Sequence, residues 1–183
     1  MPALTLRCRV CERDHGLEPV GVCGSCFGPL DPVYDWEALR GTVTAEAISA
    51  GPPSLWRYAA LLPVAAPAEP RLAPGLTPLV RAPRLATALG VGELWLKLET
   101  ANPTHSFKDR VVSVALSRAR ELGFEIVACA STGNLANSVA ANAASAGLTS
   151  YVLIPADLEQ GKVLGSLVYG TNVIGIHGAY DQV

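Results

Sequence analysis

Aromatic side chains are scarce in this sequence, at 6% of 183 residues, and charged ones reach only 16%. Acidic and basic groups nearly cancel, for a net charge of −2. No basic stripe is present, so the composition argues against a nucleic-acid-binding protein. No apolar run reaches the length needed to cross a membrane. The N-terminus lacks the basic-then-apolar plan of a secretory signal, and cysteines appear there early. These absences leave a soluble cytoplasmic protein as the expectation. The chain is long enough for one good core, or one domain and a small module.

Four of the five cysteines fall in two C-x2-C pairs, Cys8 with Cys11 and Cys23 with Cys26. Two such knuckles supply four thiolates, enough for a closed tetrahedral Zn²⁺ site. Residues 1–40 have little core of their own, so a structural metal explains how they fold. Disulfides do not suit a cytosolic chain. With four thiolates, no coordination position stays open for catalysis. His15, between the pairs, is an alternative ligand or, more simply, a solvent-facing residue. Residues 31–36 should lead out of the ribbon.

Residues 41–92 form a proline-rich, irregular segment that opens a larger domain. Within it, 54–62 read as a short helix packing through Trp56 and Leu61. Residues 67–75 read as a linker, 76–80 as a short extended segment, and 84–89 as a helix closed by Gly90. From residue 93 the pattern becomes regular. Strands are expected at 94–98, 126–130, 151–154 and 172–176. Helices are expected at 111–122, 135–146 and 161–169. This alternation predicts an α/β fold with a parallel sheet and right-handed crossovers. The apolar run 126–130 reads as a buried strand.

Two motifs carry chemistry. The first is Asn102-Pro103-Thr104-His105-Ser106-Phe107-Lys108-Asp109-Arg110. Asn-Pro marks a turn, and Ser106 or Asp109 can cap the helix that follows. Lys108 then stands at a strand-to-helix junction, where α/β folds hold ligands. A helix start disfavours positive charge there and favours the neutral amine that Schiff-base chemistry needs. The second motif is Ser131-Thr132-Gly133-Asn134, at the end of one strand and the start of a helix. Its hydroxyls, amide and free backbone N–H groups suit an anion, although Ser, Thr and Asn also cap helices without any ligand. The motifs lie about 25 residues apart, one helix plus one strand. Neighbouring strands of one sheet should therefore open both onto the same edge. His177 reads as a strand end, and Cys129 as an inert core thiol.

Together these motifs resemble the fold-type II pyridoxal-phosphate-dependent enzymes, the tryptophan synthase β-like fold. They are most similar to the threonine synthases. The resemblance extends through the cysteine ribbon, Trp56-Arg57-Tyr58, Leu153-Ile154-Pro155, Lys162, Gly170 and 178–181. It implies a lyase that converts O-phospho-L-homoserine and water to L-threonine and phosphate. Lys108 is then the Schiff-base lysine, and Phe107 packs near the cofactor ring. Asn134 bonds the cofactor's 3′ oxygen, and Ser131, Thr132 and Gly133 receive the substrate carboxylate. Asp109 and Arg110 hold the loop. The implied cofactors are pyridoxal 5′-phosphate and structural Zn²⁺. The implied partners are an amino-acid substrate and a second copy in a homodimer, with no nucleic acid or membrane. His105 departs from the family, which has glycine there. Ammonia-lyases, β-replacement enzymes and a non-catalytic zinc-ribbon module are the alternatives. The cofactor-phosphate loop and the group facing the pyridine nitrogen are not found in these 183 residues. The sequence therefore reads as the N-terminal part of an enzyme, with 93–183 as its α/β portion.

Overall fold

The computed structural model describes residues 3–65, 72–158 and 160–178. Residues 67–71 of the expected linker and 179–181 of the resemblance lie outside these, as does the Lys162 side chain.

The N-terminal ribbon is a three-stranded antiparallel sheet in the order β2-β1-β3. Its strands are β1 (Ala3–Cys8), β2 (Asp14–His15) and β3 (Leu30–Tyr34). Residues 31–34 thus belong to the ribbon and do not lead out of it. Pro32 is tolerated because β3 is an edge strand, where a missing N–H costs no ladder bond. Arg7 and Asp14 face each other across β1 and β2 as a bidentate pair at 2.7 and 2.9 Å. Both are exposed, so the pair sets register more than it adds stability.

The next segment is less irregular than its prolines suggest. It holds α1 (Trp36–Arg40), capped by Asp35, and α2 (Ala45–Ala50), capped by Thr44. The Arg57 guanidinium donates to the carbonyls of Ile48 and Ser49, satisfying the last turn of α2. Residues Leu55–Leu61 form a 3₁₀ turn that buries Trp56. Next come β4 (Leu79–Arg81), α3 (Pro83–Leu89) and β5 (Trp95–Lys97). Gly90 closes α3 in the left-handed conformation, as expected.

The rest is α4 (Lys108–Glu121), β6 (Ile126–Ala130), α5 (Asn134–Ala146), β7 (Thr149–Pro155), α6 (Gln160–Leu167) and β8 (Asn172–Ile176). β6, β7 and β8 form a parallel sheet in that order. Val112 and Leu116 of α4 pack with Val139 and Ala143 of α5 over Val127 and Cys129. The small residues of α5 allow this close approach, and Ala140 and Ala143 are fully buried. A second cluster joins Ala136, Val152 and Ile154 to Val163 and Val173. Cys129 contacts both clusters, and burial pushes its thiol above the ordinary range.

Two expectations fail here. β5 is not a neighbour of β6. It pairs antiparallel with β4 in a separate two-stranded sheet. The β4 segment, one short helix upstream, provides the partner. In addition, β6 is a half-exposed edge strand, with Ile126 at 58% exposure. An apolar run cannot distinguish a central strand from an edge whose outer side is left open. Along that side lies an apolar groove of about 400 Å³ lined by Val111, Ala115, Phe124 and Ile126. Leu79, Val80, Trp95 and Leu96 of the β4–β5 pair are also exposed.

Candidate cofactor and metal sites

The loop before α4 is built by polar side chains. Asn102 is buried and extended, as a residue before proline should be. Its amide nitrogen donates to the Glu99 carbonyl and carboxylate at 2.8 and 2.9 Å, and its oxygen accepts from the Gly75 N–H at 2.9 Å. Arg110 grips Glu99 through two bonds of 2.8 Å. That grip, with added bonds from Thr77 and Asn102, holds the Glu99 carboxyl down at about 2 against the opposing effect of burial. Gly75 has φ +94°, and a Cβ there would meet the Leu55 nitrogen at 2.8 Å and Arg110 Nη1 at 2.9 Å. Only glycine fits.

Asp109 is fully buried. It does not cap α4 in the usual sense. Its carboxylate accepts from the Thr104 N–H at 2.6 Å and the Thr104 hydroxyl at 2.7 Å. A third bond, 2.6 Å, comes from the Ser138 hydroxyl on α5. The Ser106 hydroxyl accepts from the Lys108 N–H at 3.2 Å and so acts at the helix start. His105 has φ 60° and is exposed. Glycine adopts this conformation freely. Histidine is held there by Nδ1 lying 3.1 Å from the Thr100 carbonyl. Lys108 is half-buried, with Nζ 4.7 Å from the centre of the exposed Phe107 ring.

The α5 start is different. Gly133 is its N-cap and no side chain bonds the first turn. The Ser131 hydroxyl accepts from the Gly133 N–H at 3.4 Å, which tightens the turn before the helix. Ser131 is buried, while Gly133 and Asn134 are exposed. A Cβ on Gly133 would meet nothing within 4 Å. The start of α5 therefore carries no side-chain cap, and the space beside Gly133 is open.

The two motifs do not meet through adjacent strands. The Asp109–Ser138 bond ties the first turn of α4 to the second turn of α5 across the α4–α5 interface. One residue before Asp109 is the amine, and four before Ser138 is the Asn134 amide. An amine, an amide and an uncapped helix start are thus carried on the first turns of two packed helices, and these are the donor types an aldehyde cofactor with an anionic arm would need.

In the ribbon, the Sγ atoms of Cys8, Cys11, Cys23 and Cys26 all lie within 4.8 Å of one another. Cys8 and Cys26 sulfurs are 3.4 Å apart, and those of Cys11 and Cys23 3.6 Å. Amides of Val10 and Cys11 donate to Cys8 Sγ, and that of Ser25 to Cys23 Sγ. The Ser25 amide leads in pulling the Cys23 thiol down to about 5. This donor set fits a tetrahedral metal. Sequence reasoning took His15 as solvent-facing, yet its Nε2 is buried and unpaired. The β1–β2 register puts its side chain on the Cys8 face, a placement not visible before strand pairing was known.

A profile of pyridoxal-phosphate-dependent enzymes matches residues 70–183. The chain is 40% identical to a threonine synthase of Methanosarcina acetivorans over 180 residues, 97% of this chain and 44% of that protein. It is 39% identical to a threonine synthase of Methanocaldococcus jannaschii, over 96% of this chain and 44% of that protein. The chain thus spans under half the length of these relatives. Among solved structures it is similar to a threonine deaminase of Solanum lycopersicum, with a TM-score of 0.52 and 28% identity, covering 57% of this chain and 29% of that one. Taken with the lysine loop and the open helix start, these matches lead to one statement: the chain belongs to the pyridoxal-phosphate-dependent enzyme family.

Proposed function

We propose that this chain is the N-terminal part of a threonine synthase-type lyase, acting on O-phospho-L-homoserine and water to give L-threonine and phosphate. The observation that carries this reading is the Asp109–Ser138 bond, which ties the first turn of α4, where Lys108 stands, to the second turn of α5. Pyridoxal phosphate, when bound, supplies an electron sink for negative charge at the substrate carbons.

The chain's own residues have separable tasks in this reading. The Lys108 amine holds the aldehyde and moves protons at the substrate carbon. Phe107 flanks the ring, and Asn134 meets its 3′ oxygen. The substrate carboxylate is received at Ser131, Thr132 and Gly133, where helix N–H groups favour an anion. Asp109, Glu99 and Arg110 touch neither ligand and keep the loop in place. The ribbon holds one structural Zn²⁺ through Cys8, Cys11, Cys23 and Cys26. This reading carries a cytoplasmic location, where such thiols stay reduced. Exposed β4–β5 and β6 surfaces support association with further chain or with a second copy in a homodimer.

The test is product analysis with O-phospho-L-homoserine on the protein that contains this chain. Matched release of phosphate and threonine supports the proposal. Ammonia and a keto acid from threonine would favour the ammonia-lyase reading, which the likeness to a solved threonine deaminase keeps in play. Metal quantification decides the ribbon: zinc near one per chain is expected.

A further inference from the structure

The unexplained group in the ribbon is His15. The register pairs His15 with Leu6 and Asp14 with Arg7. Side chains alternate across a strand, so Leu6, Cys8 and His15 share one face while Arg7 and Asp14 share the other. The exposed Arg7–Asp14 ion pair marks the outer face. His15 therefore faces inward with the buried Cys8 sulfur. Its Nε2 is sealed from solvent and has no hydrogen-bond partner. A buried ring nitrogen without a partner is costly, so an acceptor is called for.

His15 is not itself a ligand. Among the described residues, the group of donor atoms lying within 4.8 Å of one another contains the four cysteines alone. Four sulfurs close a tetrahedral site. A Zn²⁺ held by four thiolates leaves an excess of negative charge on the sulfurs, and N–H donors behind them offset it. Cys8 already has the Val10 and Cys11 amides at 3.4 and 3.5 Å.

We propose that the His15 ring donates its Nε2–H to a sulfur of the four-cysteine cluster, whose Cys8 shares its face, and holds that thiolate in place for the metal. This rests on the four-cysteine metal reading above and assigns a positioning role to a residue outside the ligand set. Donors behind metal ligands typically set affinity within a factor of about 10–100.

The experiment compares the parent chain with His15→Phe and His15→Gln. Zn²⁺ affinity is measured by competition with a chromophoric chelator, and the ligand set is read from the Co²⁺ spectrum. The parent should bind one metal with an all-sulfur Co²⁺ spectrum. His15→Phe should keep that spectrum and stoichiometry while binding Zn²⁺ about 10-fold or more weakly. His15→Gln, which restores an N–H, should recover part of the loss. Equal affinity in all three chains overturns the donor role and leaves the four-cysteine site standing. A parent spectrum with one nitrogen ligand that His15→Phe removes would make His15 a ligand and also overturns it. A parent that takes up no metal overturns the metal reading, and this inference with it.

Discussion

The two helices that flank β6 start in opposite ways. The α4 start is crowded: Thr104, Ser106, Asp109, Glu99 and Arg110 satisfy one another, and Lys108 sits on a loop fixed from several sides. The α5 start is bare, with glycine as its cap and open space where a side chain would be. The difference teaches that one helix start is fixed by its own side chains while the other is left without a cap, which in the proposed function suits the one to position an amine and the other to receive an anion. Rigid placement of the reacting group and an open anion-favouring pocket are complementary needs. The bond from Asp109 to Ser138 ties the two helices together, and the proposed function reads their starts as one site.

The strongest way to break the comparison is Asp109→Ala. It removes the acceptor for the Thr104 N–H, the Thr104 hydroxyl and the Ser138 hydroxyl together. Leaving buried donors unpaired costs ~1–3 kcal/mol each, so a loss of about 3 kcal/mol or more is expected in urea unfolding. A loss below about 1 kcal/mol would show that the staple is not what joins the helices.

Glu99→Gln tests the same crowding more gently. The Glu99 carboxyl is held at about 2, well below an ordinary glutamate, first by Arg110. Such a group stabilises the fold above its unfolded pKa of about 4.3, and the effect fades as pH falls toward 2. At neutral pH the variant should lose about 1–2 kcal/mol, allowing for partial exposure of the pair. The gap to the parent should close between pH 4 and 2. A gap that persists at pH 2 would assign the loss to packing.

At the bare end, Gly133→Ala sharpens the contrast. The added methyl meets no neighbour, so stability should change by less than about 1 kcal/mol. Pyridoxal-phosphate affinity, followed by cofactor absorbance, should fall about tenfold. Unchanged affinity would mean that the open space receives nothing. The smallest effect belongs to His105→Gly. Removing a side chain from φ 60° should stabilise the loop by less than about 1 kcal/mol, partly offset by the lost Thr100 contact. A marked loss would assign His105 a structural role beyond the turn.

Much of this was legible in the residues. The βα alternation gave each element from residue 126 onward to within a few positions, because Gly147 ends α5 sharply and the strands are short apolar runs. The cysteine spacing pointed directly to a clustered set of sulfurs. Lys108 and 131–134 were singled out by residue type at strand-to-helix turns, and the structure does place them at the starts of α4 and α5. Strand partnership was not legible: nothing local in 93–98 says that its partner is β4 and not β6. The α2 helix was hidden by the surrounding prolines, although Thr44 is a good cap. The role of Asp109 was half visible. A cap or ion pair was a fair reading of an acid in a first helical turn, but its bond to Ser138 depends on how α4 packs against α5. His15 was read as solvent-facing for the same reason, since the burial of its Nε2 follows from sheet register.

The most direct measurement is borohydride reduction after adding pyridoxal phosphate, followed by peptide mapping. The sequence holds three lysines, Lys97, Lys108 and Lys162. The account predicts the fixed pyridoxyl group on Lys108, and its loss in Lys108→Ala. A label on Lys97 or Lys162 with Lys108 untouched would contradict it.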